Sequence, residues 1–222
     1  VSAPQQQPII ETVVIKPADA PEYLAKLGIT AAHLDTALDS GEVAAGNIDE
    51  FHPPTAAGTV RWHETVGQLR RGLTEHARWQ ARNLKNSPRT VRPDNIISIM
   101  AIGGTVDTGI EAGHPLAARK KGAATRESIA AGQTTIDIAL GTSADPETIG
   151  TKTGTWVLLY YRDRDPNQLR CELSLPAGIH EGQFTGWYFR ILLDAKDYDP
   201  RATHMPNDAG GDDVSFEITE AF

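Results

Sequence analysis

The sequence predicts an α+β protein in which N-terminal helices pack on a largely antiparallel β-sheet formed by the C-terminal half. Three observations carry this. Trp62, Val66, Leu69, Leu73 and Ala77 recur every three or four residues and so share one stripe of a helix. Residues 156–162 and 168–175 are β-rich runs joined by Asp163-Arg164-Asp165-Pro166-Asn167, whose composition is that of a hairpin turn. Regular β-α-β-α alternation, the signature of a parallel sheet, is missing. A chain of 222 residues buries enough surface to fold without a disulfide or metal. The expected organisation is a polar tail over 1–12 and a single globular domain over 13–222. Its helical part covers about 18–85 and its sheet-rich part about 94–222.

The elements follow in order. The first dozen residues are rich in Pro and Gln and have little to bury. Residues 12–15 form a short apolar run stopped by Pro17, which suits an edge strand. Residues 21–27 read as a helix closed by Gly28, and Thr30 caps a second helix that runs through Leu38 and ends at Gly41. The longest helical signal covers 59 to about 83, although Gly67 and Gly72 weaken it. Residues 96–102 are a continuous apolar run between Pro93-Asp94 and Gly103-Gly104, as in a buried strand. A short helix over about 125–131, a strand over 134–140, the hairpin, a third strand over 186–193 and a last one over 214–219 complete the pattern.

Charge and cysteine content narrow the function classes. No apolar run approaches the roughly 18 residues of a membrane span, so no membrane partner is expected. Cys171 is the only cysteine, which excludes an internal disulfide and fits a cytoplasmic setting; its place within a strand suits a buried small hydrophobe. The opening residues have no basic segment followed by an apolar one, so no signal peptide is expected. The net charge of -8 is unevenly spread. Residues 1–60 carry 2 basic and 8 acidic side chains, 61–126 carry 12 and 5, 127–190 carry 5 and 8, and 191–222 carry 2 and 8. A basic centre reads either as a phosphate-facing surface or as the internal complement of the acidic ends.

One stretch concentrates the first reading. A strand ends in Gly103-Gly104-Thr105, and Arg119-Lys120-Lys121 then lead into a short helix near Thr125. Cations just before a helix start oppose its dipole unless an anion neutralises them or they project into water. A phosphate held by Gly103, Gly104, Thr105, Arg119, Lys120, Lys121 and Thr125 would resolve that conflict, and these seven are the candidate ligand-binding residues. The pattern is neither a Walker A loop nor Gly-x-Gly-x-x-Gly. Among the seven histidines there is no His-Glu-x-x-His pair, and no Gly-x-Ser-x-Gly elbow is present. Neither a catalytic residue nor a resident metal or cofactor is expected. Asp194, Asp197, Asp199, Asp208, Asp212, Asp213 and His204 form an acidic end that suits a solvated terminus, and only as the weakest alternative a metal-dependent hydrolase.

Several segments together resemble an uncharacterised family of bacterial proteins associated with phages, plasmids and integrated elements. They are 65–70, 99–109 with its Gly-Gly-Thr and Thr-Gly, 156–160, Glu172-Leu173-Ser174-Leu175-Pro176, and 187–192. The resemblance implies context alone: a cytosolic accessory protein of a mobile element, concerned with conflict between phage and host. The expected function is that of a non-enzymatic binding protein. A nucleotide or nucleic acid would sit at the basic loop; the alternative is a protein-interaction module that docks a basic partner on its acidic ends.

Overall fold

Three helices lie on one face of a mixed sheet, and a long loop lies on the other. The computed structural model describes residues 11–84, 87–123, 125–127, 129, 145–165 and 167–198. Among them are the strands β1 (Val13–Ile15), β2 (Gln80–Leu84), β3 (Ser87–Val91), β4 (Ile97–Gly103), β5 (Gly154–Asp163), β6 (Gln168–His180), β7 (Gln183–Leu192) and β8 (Lys196–Asp197). The helices are α1 (Ala20–Leu27), α2 (Ala31–Gly46) and α3 (Ala56–Ala77), with a 3-10 helix over Pro146–Thr151. The sheet runs β1-β7-β6-β5-β4-β3-β2, and β8 pairs beside β6. Only β1 with β7 and β4 with β5 are parallel, so the sheet is largely antiparallel, as expected.

Strand alternation divides the core in two. Ile97, Ile99 and Ala101 of β4, Trp156, Leu158 and Tyr160 of β5, and Phe189 and Ile191 of β7 face the helices, where they meet Leu24, Leu27, Leu34, Leu38, Leu69 and Leu73. Each such leucine, fully buried, contributes about 1.5–3 kcal/mol relative to exposure. The residues between them point the other way. Met100, Ile102, Val157, Leu159, Phe184 and Trp187 form a smaller cluster closed by Ala117 and Ile129.

The structure moves three boundaries. The helix expected to reach about residue 83 stops at Ala77, because Arg78 turns left-handed (φ 59°) and the Trp79 amide reaches back to the Leu73 carbonyl. Trp79 is then buried, and residues 80–84, Arg82 included, form the edge strand β2 rather than more helix. Residues 80–84 and 87–91 thus belong to the sheet, which begins well before residue 94. Gly41 does not end the second helix, which continues to Gly46. A Cβ at Gly41 would overlap Thr65 Oγ1 and lie 2.9 Å from the Arg61 carbonyl, so this glycine sets how closely α2 and α3 approach. The face that α3 buries runs through Ala57, Arg61, Thr65, Leu69 and Leu73, while Trp62, Val66 and Ala77 sit at its margin. Trp62 still donates to the Ala101 carbonyl of β4 at 3.0 Å. The strands expected over 134–140 and 214–219 lie outside the described residues; of the helix expected over 125–131, residues 125–127 and 129 are described and helical.

Candidate functional site

β4 ends at Gly103, and the chain then makes a loop that returns alongside its own start. Gly104 bridges Ala117, the Ala118 amide donates to the Gly103 carbonyl at 2.9 Å, and the Thr105 amide donates to the Leu116 carbonyl at 3.0 Å. Thr105 Oγ1 accepts from the Leu116 amide at 3.0 Å. The glycine at 104 has a packing reason: a Cβ there would overlap Oγ1 of the fully buried Thr108. Gly109 adopts φ +74° against the backbone of Cys171, a conformation side chains rarely take.

Beneath this loop lies a buried ion pair. Glu172 and Arg190 face it from adjacent strands, with Nη2 to Oε2 at 2.6 Å and Nε to Oε1 at 3.0 Å. Glu172 also accepts from Ser174 Oγ at 2.7 Å and from the Gly109 amide at 2.9 Å. Arg190 donates to the carbonyls of Gly113 at 2.7 Å, Ile110 at 2.9 Å and Glu111 at 3.3 Å. Two more side chains complete the frame. Trp187 Nε1 donates to the Pro115 carbonyl at 3.1 Å, and Gln183 clamps both the amide and the carbonyl of Ala117. A carboxylate and guanidinium removed from water need such a complete set of partners to be tolerated. The backbone of 105–117 is therefore fixed from below.

On this fixed loop three aliphatic side chains face solvent: Val106 is 55% exposed, Ile110 40% and Leu116 38%. Asp107, Glu111 and His114 are the charged and titratable groups of the same loop, and Glu111 pairs with Lys16 at 3.0 Å.

The sequence-selected residues gather at the foot of this loop. The Gly104–Ala117 bridge brings Gly103, Gly104 and Thr105 beside the strand that leads into Arg119, Lys120 and Lys121. Three of their amides are already used. Gly104 donates to the Tyr160 carbonyl, Thr105 to Leu116 and Lys121 to Gly182. Lys120 is exposed and Arg119 half-buried, whereas Lys121 and Thr125 are buried.

Part of the basic centre, together with Arg162, has internal partners. Arg61 pairs with Glu42 at 2.6 Å, and Arg162 meets the same carboxylate from β5. Arg89 is buried on the loop side of the sheet, where Nη1 donates to Thr155 Oγ1 at 2.6 Å; desolvation lowers its pKa to about 10. Arg92 holds Asp94 and the Gly150 carbonyl. Acidic side chains of α2 are engaged in turn, since Lys196 pairs with both Asp35 and Asp39. Of these contacts only Arg61 with Glu42 joins the basic centre to an acidic end.

Two other features complete the survey. A shallow groove of about 440 Å³ runs along α2 and is lined by Thr36, Asp39, Ser40, Val43, Ala44 and Asn47, with Glu64 on the α3 side. Cys171 is buried in β6, as expected, and desolvation first, then nearby Asp35, pushes its thiol pKa far above the ordinary range. Such a thiol is not a nucleophile. Among the described residues no group of three His, Cys, Asp or Glu side chains is placed to share a metal ion, and no helix is long and apolar enough to cross a membrane. Of the acidic end, Asp194 and Asp197 are described, and Asp197 accepts from Gln168 Nε2 at 2.8 Å; the remainder, with His204, lies outside the described residues.

Sequence reasoning missed Glu172, Ser174 and Arg190. Their signal was present: a Glu-x-Ser inside the apolar run 169–177, and an arginine inside 187–193, where a solvated strand face would not be so apolar. No family model, curated protein or solved structure matches the chain.

Proposed function

We propose that the protein is a non-enzymatic binding protein that engages a partner protein through the loop over 105–118. The observation that carries this reading is the combination of an immobilised backbone with outward aliphatic side chains. Val106, Ile110 and Leu116 stay exposed on a segment whose carbonyls are held by buried Arg190. A loop fixed before contact loses little conformational freedom on binding, and recognition groups commonly sit on loops held by a rigid scaffold. His114 is the one ring on the loop on which a nucleobase could stack, whereas three aliphatic side chains are exposed there, a balance that favours a partner protein offering a shallow apolar recess. The acidic helices are the weaker surface, because Asp35, Asp39 and Glu42 face cations of the same chain.

A photo-crosslinking residue at position 106 or 110, introduced in the native host, tests the reading. One discrete protein adduct is expected. It should be lost when Val106, Ile110 and Leu116 become serine and be absent when the probe sits at Gln68 on α3. The same adduct from all positions, or none from the loop, would remove the proposal.

A phosphate-bearing ligand at the foot of the loop is the second reading, favoured by the bridge that gathers Gly103, Gly104 and Thr105 next to Arg119 and Lys120. Since the amides of Gly104, Thr105 and Lys121 already have acceptors, the contact would fall chiefly to side chains, with exposed Lys120 foremost. Binding of labelled single-stranded and duplex DNA, with mononucleotides as competitors, should then weaken steeply with salt and vanish in Lys120→Glu. Unchanged binding in that variant would rule this reading out. Lys121 is buried, so charge reversal there would test folding instead.

A further inference from the structure

The first turn of α2 is closed by an unusual residue for that task. Thr30 precedes the helix, and three residues later, where a capping box ordinarily carries Glu or Gln, stands His33. Its Nδ1 accepts the Thr30 backbone N–H at 3.1 Å and lies 3.1 Å from the Thr30 hydroxyl. Nδ1 can accept only while it carries no proton, so the cap requires the neutral imidazole with its hydrogen on Nε2. Protonation turns that acceptor into a donor facing another donor. It also places a positive charge at a helix N-terminus, against the dipole.

The other side of the ring meets α3. Gly72 lies beside it, where a Cβ would make ordinary van der Waals contact with the ring at 3.8 Å, and the His76 ring sits 6.0 Å away, centroid to centroid. His76 Nδ1 lies 3.0 Å from the Gly72 carbonyl and must donate to it. A second proton on each ring therefore sets two like charges side by side. α3 also carries Arg70, Arg71 and Glu75 around the same turns, and of the charged groups on the packed elements only His76 perturbs His33. On α2, Asp35 and Asp39 are held by Lys196; on α1, Glu22 and Lys26 pair with each other.

We propose that Thr30, His33 and His76 form an acid-sensitive latch, which holds the start of α2 to the end of α3 at neutral pH and releases it on mild acidification. The direction is consistent with the environment of His33, whose pKa is lowered from 6.5 by burial first and by the His76 charge second. A base with a depressed pKa in the folded state binds fewer protons folded than unfolded. Its contribution is therefore complete above about pH 6.5 and is lost as pH falls through the lower folded value.

The test uses the full chain and two variants. Glutamine accepts the same N–H without titrating, so His33→Gln keeps the cap at every pH, and His76→Gln keeps the cap while removing the facing charge. Between pH 7.5 and pH 5 the unaltered protein should lose about 2–4 °C in Tm beyond His33→Gln, the shift typical of one lost cap in a domain of this size. Exchange of the Thr30 amide, corrected for its intrinsic pH dependence, should rise several-fold in the unaltered protein but not in His33→Gln, and His76→Gln, which removes the charge that holds the His33 pKa down, should move the onset to higher pH. Nitrogen NMR should show His33 Nδ1 unprotonated at pH 7.5. Parallel Tm profiles for the unaltered protein and His33→Gln, or a proton on Nδ1 at neutral pH, would overturn the proposal.

Discussion

The two buried carboxylates among the described residues use the same chemistry for different ends. On the helix side, Glu42 of α2 takes Arg61 of α3 and Arg162 of β5, so one carboxylate ties two helices to the sheet through side chains alone. On the loop side, Glu172 and Arg190 face each other and, apart from Ser174 Oγ, bond to backbone, namely the Gly109 amide and the carbonyls of Ile110, Glu111 and Gly113. The first arrangement could be replaced by apolar packing, because helices and sheet have complementary faces around it. The second has no apolar substitute, because an irregular loop laid on a sheet presents polar backbone that must be satisfied. Charge inside this fold is thus a fastener in one place and a template for loop conformation in the other.

The strongest way to break this comparison is to remove one carboxylate at a time. Glu172→Ala leaves Arg190 buried without its counter-charge and should cost about 3–5 kcal/mol in urea unfolding, with new proteolytic cleavage within 105–117. Glu42→Ala strands two guanidiniums but near a better-solvated rim, and about 3 kcal/mol is expected with no change in loop cleavage. If both variants exposed the loop equally, the distinction would fail. The double replacement Glu172→Leu with Arg190→Met sharpens it further. Much of the stability should return, yet the loop should stay susceptible to protease, since no donor remains for its carbonyls.

Smaller effects probe the loop itself. Gly104→Ala drives a methyl group into Thr108 and should cost about 1–3 kcal/mol by calorimetry, an overpacking effect that Thr108→Ser should leave in place and Thr108→Gly relieve. Replacing Val106, Ile110 and Leu116 with serine removes side chains that already face water, so each change should lie within about 0.5 kcal/mol of the unaltered protein. A larger loss would mean that these side chains support the fold and are not held ready for a partner.

The same contrast explains what could be read from residues alone. The helical stripe, the β5–β6 hairpin and the apolar runs of β4 and β7 were legible, because each is a periodic pattern set by local geometry. The end of α3 was not, since Arg78 in a left-handed cap has no glycine to announce it. The edge ribbon β2–β3 was hidden by Pro88 and by a strand whose five residues are all exposed and so show no alternation of burial. At the candidate site the glycines and the basic triplet stood out. Their immediate task, however, is packing against Thr108 and holding the turn at Gly182, which depends on residues far away in the chain. Lys121 in particular looked like a surface cation and is buried. Glu172 and Arg190 were visible as charges in apolar strands, but their pairing is a property of neighbouring strands and so of topology.

The parallel pairing of β1 with β7 also constrains how the chain is made. Thr12 donates to the Trp187 carbonyl across 175 residues, and β1 has no other strand partner among the described residues. At ribosomal speeds of about 5–20 residues per second, the N-terminal strand waits roughly 9–35 s before its partner has been synthesised. Helices α1 to α3 and the β2–β3 ribbon close over short separations and can form in that interval, whereas the sheet gains its β1 edge only after translation has passed β7. The nascent protein therefore spends most of its synthesis with Val13, Val14 and Ile15 unpaired, a window in which a chaperone has something to hold.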